Sequence, residues 1–384
     1  MNNITNEAFI ECYEKHYKKG YGFRKLIADE LGIHGTTVTK KINFLQKNGL
    51  IALDSGNRVQ EGTILRKVAT YHHGDKELGI PAQWISADVA KEEALLVYKE
   101  IIEDMVKQVE GKAKPVPTPK INDDDLLSFY PLPDLHFGLL VDKNDSNHDY
   151  HYDLNIAERW VKASMTYLVD SAPNSKEAVI CDLGDFLHAE NSENRTKSGH
   201  ALDVDGRNPK IVRIAFEIVK QLIEMTLTKH EIVHVYSIPG NHSEQSGIFL
   251  KEYLAAWFRN EPRVKIYNQT HASQQYHSYG QNILGFSHGH ELRPERAAEV
   301  LVFDNQAIFS STLYRTFHFG HFHQNKTFET PLCNIEIHKN IIPRDAWAEG
   351  MGFRGHIGQA KSITYHKEYG EIGRNVFNIR MMEK

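Results

Sequence analysis

The spacing of hydrophobic residues divides the chain into parts of different structure. In the first 50 residues, apolar side chains recur at helical spacing. They predict three helices, over 5–17, 23–31 and 36–47. Gly32 and Gly49 stand where the second and third helices are expected to end. Short alternating segments at 50–53 and 63–68, separated by the turn sequence DSGN, predict a β-hairpin or wing after these helices.

Strands and helices alternate from residue 126 onward. Apolar runs predict strands at 127–132, 178–183 and 232–238, and helical patterns at 153–170, 208–229 and 245–259 separate or follow them. Such alternation favours a mostly parallel α/β sheet. After residue 262 the pattern changes to strands with little helix, at 263–268, 275–279, 282–287, 315–319, 333–338, 361–366 and 375–380. We therefore expect a second sheet packed on the first, with helices flanking the pair.

The segment between these two parts reads as a linker. Residues 71–89 show no clear pattern, and 90–110 predict an amphipathic helix of mixed charge. The sequence KAKPVPTP at 112–119 has three prolines spaced two apart, which favours an extended, semi-rigid spacer over a packed element. We predict a helical domain over 1–70, a linker over 71–125 and an α/β domain over 126–384.

Composition excludes several classes of protein. The chain is 41% hydrophobic and 25% charged, which is ordinary for a globular protein and excludes a disordered or collagenous one. No apolar run is long enough to span a membrane and no basic, apolar leader opens the chain, so a cytoplasmic protein is expected. Its cysteines are isolated from one another, so neither a disulfide framework nor a cysteine zinc site is indicated. By contrast, 22 histidines in polar clusters suggest a metal.

Polar clusters follow five of the predicted strands. Their chemistry-bearing members are Asp134 and His136, Gly184 and Asp185, Gly240 to His242, His288 and His290, and Gly320, His321 and His323. Because ligands in open α/β sheets gather at the carboxyl ends of strands, these clusters can converge on one cleft. Asp, Asn and His without cysteine suit Mn, Fe, Zn or Ni at a hydrolytic centre. Each cluster alone is weak, since an HxH pair also occurs on surface strands.

The order of these motifs along the chain resembles that of calcineurin-like metallophosphoesterases. The motifs are, in order, DxH, GD, GNH, H and GHxH. The sequence DLHFG at 134–138 resembles especially the DNA-repair nucleases of that superfamily, such as the nuclease subunit of the SbcCD complex. The resemblance covers about residues 126–340. It implies an α/β fold, a two-sheet metallophosphoesterase sandwich flanked by helices.

The resemblance also implies roles for particular residues. Two divalent ions, Mn above all and otherwise Fe, Zn, Ni or Mg, would lie about 3.5–4 Å apart and activate a bridging water that attacks phosphorus. The implied ligands are Asp134, His136 and His323 for one ion, Asn241, His288 and His321 for the other, and Asp185 for both. His242 would protonate the leaving group.

Two departures from the family pattern affect the surroundings of these ligands. The family usually has Asp or Glu after GNH, whereas this chain has Ser243 and then Glu244, so the carboxylate that orients His242 is shifted or replaced. His188 stands where Asp often follows the bridging motif. In the polar stretch 189–200, Arg195 is the best candidate for a phosphate contact, the alternative being a solvated loop.

The N-terminal pattern is typical of a helix-turn-helix. Ala28, Gly32 and Val38 have the spacing of a small contact residue, a turn glycine and a β-branched core residue, and the following hairpin resembles the wing of a winged helix domain. The third helix would present DNA-contacting side chains, namely Thr36, Thr37, Thr39, Lys40, Lys41 and Asn43. Residues 1–70 carry a net charge of +4 and the remainder −9, which favours a duplex as the local partner. A basic bundle that docks on a protein is the alternative.

Together these features predict a two-metal phosphodiesterase, most plainly a DNA nuclease, with a layout that resembles bacteriophage-encoded metallophosphoesterases acting in the host cytoplasm. Two alternatives stay open. One is a metal-dependent phosphatase or a phosphodiesterase of small molecules or cyclic nucleotides. The other is a non-catalytic DNA-binding regulator. The sequence leaves open the metal's identity, the strandedness of the substrate and a homodimeric state.

Overall fold

The computed structural model describes most of the chain, in the segments 5–17, 23–47, 68–72, 83–87, 106–120, 122–144, 151–190, 194–195, 201–344, 346–352 and 357–383. The chain divides into two compact units, 1–94 and 95–384. In the part of the chain that the structure describes, there is no helix with the length and apolar character needed to cross a membrane. All three cysteines are buried and free.

Three helices form the first unit: α1 (Asn6–Tyr17), α2 (Phe23–Leu31) and α3 (Gly35–Lys47). Their bounds agree with the predicted ones to within one residue. They pack on a small core that includes Phe9, Ile27, Val38 and Leu45. Gly32 has φ +63°, a left-handed conformation that glycine adopts without strain, so the chain can turn between α2 and α3.

An antiparallel pair of strands completes the described part of this unit, β1 (Val68–His72) with β2 (Gln83–Ala87). This pair begins where the second strand of the predicted hairpin was expected to end. The predicted segment 50–53 and residues 63–67 lie outside the described residues. The sequence pattern of 71–89 did not indicate these strands.

Six strands form the first sheet of the second unit, in the order β13-β12-β3-β4-β5-β6. Strands β3 to β6 are parallel, whereas β12 and β13 are antiparallel to their neighbours. The bounds are β3 Asp123–Leu132, β4 Ser175–Asp182, β5 Ile232–Ser237, β6 Val264–Ile266, β12 Gln359–His366 and β13 Gly370–Asn378.

Five strands form the second sheet, in the order β10-β11-β9-β8-β7. Strands β8, β9 and β11 are parallel to one another, and β7 and β10 run antiparallel at the edges. The bounds are β7 Gln274–Tyr279, β8 Asn282–Ser287, β9 Tyr314–Phe319, β10 Lys326–Glu329 and β11 Asn334–Ile337. The expected second sheet is thus present, with β10 as a strand that the sequence pattern missed.

Helices flank both sheets. The long ones are Leu154–Ser171, Asn208–Leu227 and Ser246–Trp257, and the short ones are Ala297–Asp304, Gln306–Phe309 and Ala346–Gly350, with 3-10 turns at Pro294–Arg296 and Ile379–Glu383. Asp153 caps the first long helix, since its carboxylate accepts a hydrogen bond from the Ile156 backbone N–H at 2.8 Å.

The hydrophobic core of this unit lies in three layers, because strands with two buried faces pack on both sides. One layer joins the long helices to the first sheet through residues such as Ile180 and Leu222. A middle layer between the sheets contains Phe129, Val179 and Phe286. The third layer covers the outer face of the second sheet.

The proline-rich segment 112–119 forms neither helix nor strand and packs on the second unit, whereas an extended spacer rather than a packed element was predicted. The Gly111 N–H donates to the Ala256 carbonyl at 2.8 Å, and the Arg263 guanidinium donates to the Val116 carbonyl at 2.7 Å. Ala113 and Val116 contact the helix-side core. The second unit accordingly begins at residue 95, and the described residues 111–116 have partners in it for both backbone polar groups and small apolar side chains.

Candidate metal centre

The five predicted clusters lie at the ends of strands that the fold aligns. Asp134 follows β3, Asp185 follows β4 and Asn241 follows β5, all at carboxyl ends of parallel strands in the first sheet. His288 follows β8, and His321 and His323 follow β9, at carboxyl ends of parallel strands in the second sheet. Both sheets therefore contribute side chains to one site.

The backbone is left-handed at five of the predicted ligands. The φ angles are 48° at Asp134, 43° at His136, 58° at Asp185, 65° at His321 and 51° at His323. Among the described residues other than glycine, Asn194 is the one further case of positive φ. Such conformations are unfavourable for residues with a Cβ and persist where the surrounding structure enforces them, typically at functional sites.

Three glycines let the ligand loops approach one another closely. A Cβ at Gly240 would lie 2.1 Å from the Asp185 Oδ1 atom, and one at Gly184 would lie 2.5 Å from the His288 Nδ1 atom. A Cβ at Gly320 would lie 2.9 Å from the Asp134 Oδ2 atom. The glycines that precede Asp185, Asn241 and His321 are thus required by packing within the site.

Asp134, His136 and His323 form the first donor group. The His323 Nε2 atom lies 3.2 Å from Asp134 Oδ1, and the His136 Nε2 atom lies 4.0 Å from the same oxygen. The Asp134 side chain is fully buried. The His136 Nε2 atom is buried and has no hydrogen-bond partner among the described residues, as expected of an imidazole nitrogen positioned to bind a metal.

Asp185, His288 and His321 form the second donor group, and Asn241 adjoins it. The His288 Nε2 atom lies 3.0 Å from Asp185 Oδ2 and 3.1 Å from Asn241 Oδ1. On the other side of the ring, His288 Nδ1 lies 2.8 Å from the Leu183 carbonyl, to which it donates. That hydrogen bond fixes the ring so that Nε2 faces the carboxylate, the arrangement of a metal-binding histidine with a supporting partner.

Backbone hydrogen bonds connect the two groups. The His321 N–H donates to both Asp134 carboxylate oxygens, at 3.0 and 2.9 Å, so a member of the second group holds the carboxylate of the first. The His136 N–H donates to the Asp185 carbonyl at 2.9 Å. The structure thus brings together all seven residues to which metal binding was assigned by resemblance.

The electrostatics of the site favour bound cations. Burial alone would raise the pKa of Asp185, but the neighbouring imidazoles, His288 first, lower it far below its usual range. Burial would lower the pKa of His288, but Asp185 raises it to about 9. Burial and the charge of His288 lower the pKa of His321 to about 4. The carboxylate therefore stays ionised and stabilises positive charge beside it.

His242 is held by a backbone carbonyl. Its Nδ1 atom lies 2.7 Å from the His188 carbonyl oxygen, and its ring is half-buried beside the His136 ring, with 4.9 Å between centroids. A backbone carbonyl, and not a carboxylate, thus accepts the hydrogen bond from this ring nitrogen. Ser243, where that carboxylate was expected, accepts a hydrogen bond from the Asp185 N–H at 2.9 Å instead.

Sequence reasoning left two supporting residues without a role. His188 is buried, and its Nδ1 atom lies 3.3 Å from the His136 Nδ1 atom, within a third histidine group with His242. Glu190 caps the helix Ser246–Trp257, because its Oε1 atom accepts from the Ser246 N–H at 2.7 Å. Glu190 directly follows the bridging-motif segment, but its partner is distant in sequence, so no local pattern indicates the contact.

Arg195 is one of the described residues of the polar stretch 189–200. It is exposed, and its backbone forms an isolated antiparallel bridge with Ala201. Its phosphate contact stays a prediction.

The predicted DNA-binding residues lie along α3, at its start and middle. Thr36, Thr37, Lys40 and Asn43 are exposed, whereas Thr39 and Lys41 are half-buried. The Thr39 hydroxyl donates to the Gly35 carbonyl at 3.1 Å. The exposed set can meet a partner without rearrangement of the helix, whereas Thr39 already has a partner within it.

No protein-family model and no curated protein sequence matches the chain. Similar solved structures include Yfce, a phosphoesterase from E. coli, at 14% identity over 65% of this chain and 98% of that one, with a TM-score of 0.33. A predicted phosphoesterase from Streptococcus pneumoniae TIGR4 is 9% identical over 66% and 98%, with a TM-score of 0.27. Vps29 complexed with Zn²⁺, from Entamoeba histolytica, is 11% identical over 66% and 99%, with a TM-score of 0.25.

Proposed function

We propose that the second unit is a metal-dependent phosphodiesterase of the calcineurin-like metallophosphoesterase type, and that its substrate is DNA. One observation carries the proposal: two donor groups of Asp, Asn and His side chains are locked together by the Asp134 and Asp185 contacts, with His242 beside them. Such a constellation suits hydrolysis at phosphorus, where two adjacent cations can act together.

The donor chemistry fits divalent ions. Oxygen and imidazole ligands without thiolate suit Mn, Fe, Zn or Ni, and Mn is our first choice. Asp134, His136 and His323 would hold one ion, His288, His321 and Asn241 the other, and Asp185 would contact both. When bound, the ions supply Lewis-acid activation of water and neutralise charge on the phosphoryl oxygens.

His242 is the group that can move a proton. Its Nδ1–H donates to the His188 carbonyl, so Nε2 is the nitrogen that can carry a proton to a leaving oxygen. The His242 N–H donates to Asp185 Oδ1 at 2.7 Å, which couples the position of this imidazole to that of the proposed shared ligand. The hydrogen bond therefore fixes the position of the proton donor relative to the proposed ligand.

DNA is proposed as substrate because of the first unit. Helix α3 exposes hydroxyl, ammonium and amide groups that can reach phosphates and base edges. They belong to Thr36, Thr37, Lys40 and Asn43. The +4 charge of residues 1–70 adds attraction to a polyanion. A nuclease with its own DNA-binding unit is the function that joins both parts of the chain.

The test is a Mn²⁺-supplemented assay of the full chain on labelled single- and double-stranded DNA, a chromogenic phosphodiester and a phosphomonoester, with Asp185→Asn as control. We expect the diester and DNA to be cleaved and the Asp185→Asn variant to be inactive. Preference for the monoester would support a phosphatase instead. Absence of metal-dependent hydrolysis of all four substrates would support a non-catalytic DNA-binding regulator.

A further inference from the structure

A second group of potential metal ligands lies between the two sheets. It consists of Glu177 on β4, His234 on β5 and His277 on β7. Glu177 is the third residue of β4, whereas the candidate metal centre begins beyond the end of that strand. Val179 follows Glu177 by two residues on β4, and Tyr236 follows His234 by two residues on β5. Both belong to the core between the sheets, and side chains two apart on a strand share a face. The group therefore faces the inter-sheet layer.

The donor atoms of this group are close together. One ligand atom from each of the three residues lies within 4.8 Å of the others. The His234 Nε2 atom is 2.8 Å from the Glu177 Oε2 atom, and the His234 and His277 rings have centroids 4.7 Å apart. Three side chains from two sheets thus converge on one point.

The hydrogen bonds of His277 leave one nitrogen free to bind. Its Nδ1 atom lies 3.0 Å from the Tyr236 hydroxyl, and that hydroxyl donates its proton to the Tyr276 carbonyl at 3.4 Å. With its proton on that carbonyl, the hydroxyl can accept from Nδ1–H, the tautomer in which Nε2 carries the lone pair. The Nε2 atom is buried and has no hydrogen-bond partner among the described residues. His277 itself is 6% exposed.

His234 is oriented in the same manner. Its Nδ1 atom lies 3.0 Å from the Tyr267 hydroxyl, while its Nε2 atom faces Glu177. The Tyr236 and Tyr267 rings are stacked, with centroids 4.2 Å apart and an 8° angle between planes. Each histidine thus has a tyrosine hydroxyl on Nδ1 that fixes its ring, the outer support usual for metal-binding histidines.

We propose that Glu177, His234 and His277 bind one divalent ion, separate from the candidate metal centre and independent of the proposed function. Two imidazoles and a carboxylate match the donor set of zinc sites that keep a fourth position for water. The Glu177 side chain is 28% exposed, so water can reach the site. Bound Zn²⁺ links β4 and β5 of the first sheet to β7 of the second, and it supplies the partner that His277 Nε2 otherwise lacks.

The alternative, a hydrogen-bonded pair of Glu177 and His234 without a metal, does not explain the position of His277. It satisfies both of those side chains, but it leaves the lone pair of His277 aimed at the pair with nothing to donate to it. An unpaired buried acceptor is unfavourable, and in native structures such an atom usually has an ion, a water or a functional role.

The experiment uses the full chain with Asp134→Asn and Asp185→Asn, which weaken the candidate metal centre. Zn²⁺ content is measured by mass spectrometry after equilibrium dialysis, and circular dichroism checks the fold. We expect Glu177→Gln, an isosteric change that keeps a hydrogen bond to His234, to remove one ion per chain from this background. Tyr267→Phe, which keeps the ring stacking, should weaken affinity about 10–100-fold. The exposed His151→Ala serves as the matched control and should change nothing.

Comparison within one background separates this site from the first, because any ion retained by the candidate metal centre is common to all variants. If Glu177→Gln misfolds, His277→Asn provides the same comparison. Equal Zn²⁺ content in the background, Glu177→Gln and His277→Asn proteins would overturn the proposal, whatever the activity of the unmodified chain.

Discussion

Left-handed backbone at five candidate ligands ties the chemistry of the site to the geometry of its loops. Each such residue costs about 1–3 kcal/mol relative to a relaxed conformation. The cost is offset by hydrogen bonds, such as those from His321 to Asp134, and by glycines that let the loops meet. Hydrogen bonds and close packing of the loops therefore hold the candidate ligands in place.

Replacing a contact glycine should disrupt the site without touching a ligand. In Gly240→Ala, the new methyl group would lie 2.1 Å from Asp185 Oδ1, so Asp185 or its loop must move. We expect at least one bound Mn²⁺ per chain to be lost, as measured by metal analysis after dialysis. Gly373→Ala, where no atom lies within 4 Å of the added Cβ, is the matched control. Full metal content in both variants would contradict this account of the glycine.

His242→Ala should separate proton transfer from metal binding. The His242 ring is bonded to the His188 carbonyl, and the bond to Asp185 comes from the backbone N–H, which alanine retains, so the variant should keep its metal content. Turnover of a phosphodiester should fall about 10²–10⁴-fold, as for loss of a general acid. Loss of metal would instead identify His242 as a ligand.

Asp185→Asn should lower metal affinity more than loss of any other single ligand, because the carboxylate contacts both His288 and the His242 backbone. We expect the Mn²⁺ content to fall below that of Asp134→Asn, and no measurable hydrolysis. Metal titration by calorimetry compares the two variants. Equal affinities in both would argue against a shared role for Asp185.

The candidate ligands could be predicted from the sequence because each motif is local and its order is distinctive. Glu177, His234 and His277 could not, since each stands alone in a strand and only the packing of two sheets unites them. The hydrogen bond from His242 to a backbone carbonyl could not be predicted either, because every residue has a carbonyl and the sequence does not show where each one points.

At the scale of elements, most strands and helices could be predicted from hydrophobic period. The exceptions have physical reasons. Strand β10 is a short, largely exposed edge strand with little apolar pattern, and the helix Ala297–Asp304 lies in a stretch where strands prevail. The segment 112–119 forms neither helix nor strand and has no hydrophobic period, so the packing of this part of the chain against the helix Ser246–Trp257 leaves no signature in the sequence.

Truncation should reveal that packing. Removing residues 1–94 leaves the second unit whole, so hydrolysis of a small phosphodiester should persist. Removing 1–120 also deletes three hydrogen bonds, from Gly111 and Ala113 to the end of the helix Ser246–Trp257 and from Arg263 to Val116. At roughly 1 kcal/mol per hydrogen bond plus lost apolar contact, the free energy of unfolding should fall by about 2–4 kcal/mol. Urea unfolding of both truncated proteins measures the difference. Equal unfolding midpoints would mean that the segment contributes nothing.

At the scale of the whole molecule, the opposite charges of the two parts of the sequence suggest a division of labour in DNA binding. We expect Lys40→Ala to weaken binding of a long duplex and to reduce the slope of log affinity against log salt by about one, if the exposed ammonium contacts a phosphate. Fluorescence anisotropy at several salt concentrations measures the slope. The exposed Lys326, in the other unit, offers a control as Lys326→Ala. An unchanged slope for Lys40→Ala would favour the protein-docking alternative for α3.

Buried neutral histidines should make the fold sensitive to acid. Burial lowers the pKa of His230 to about 4, whereas in the unfolded chain it is near 6.5. The unfolded state therefore binds a proton first as pH falls, and stability is lost between pH 6.5 and 4, by up to about 1.4 kcal/mol per pH unit for one group. Unfolding free energies at pH 7 and 5 should differ less in His230→Gln than in the unmodified chain. An equal difference would contradict this role.

The place of β12 in the first sheet has a consequence for biosynthesis. Strand β12 lies between β13 and β3, so it covers one edge of β3, yet it is translated long after β3, β4 and β5. Until the ribosome has released residues 359–366, the nascent sheet presents β3 as an open edge with unpaired backbone groups. The second unit therefore completes this sheet only after residues 359–366 have been translated, and chains that stop before them would keep an open edge that favours aggregation.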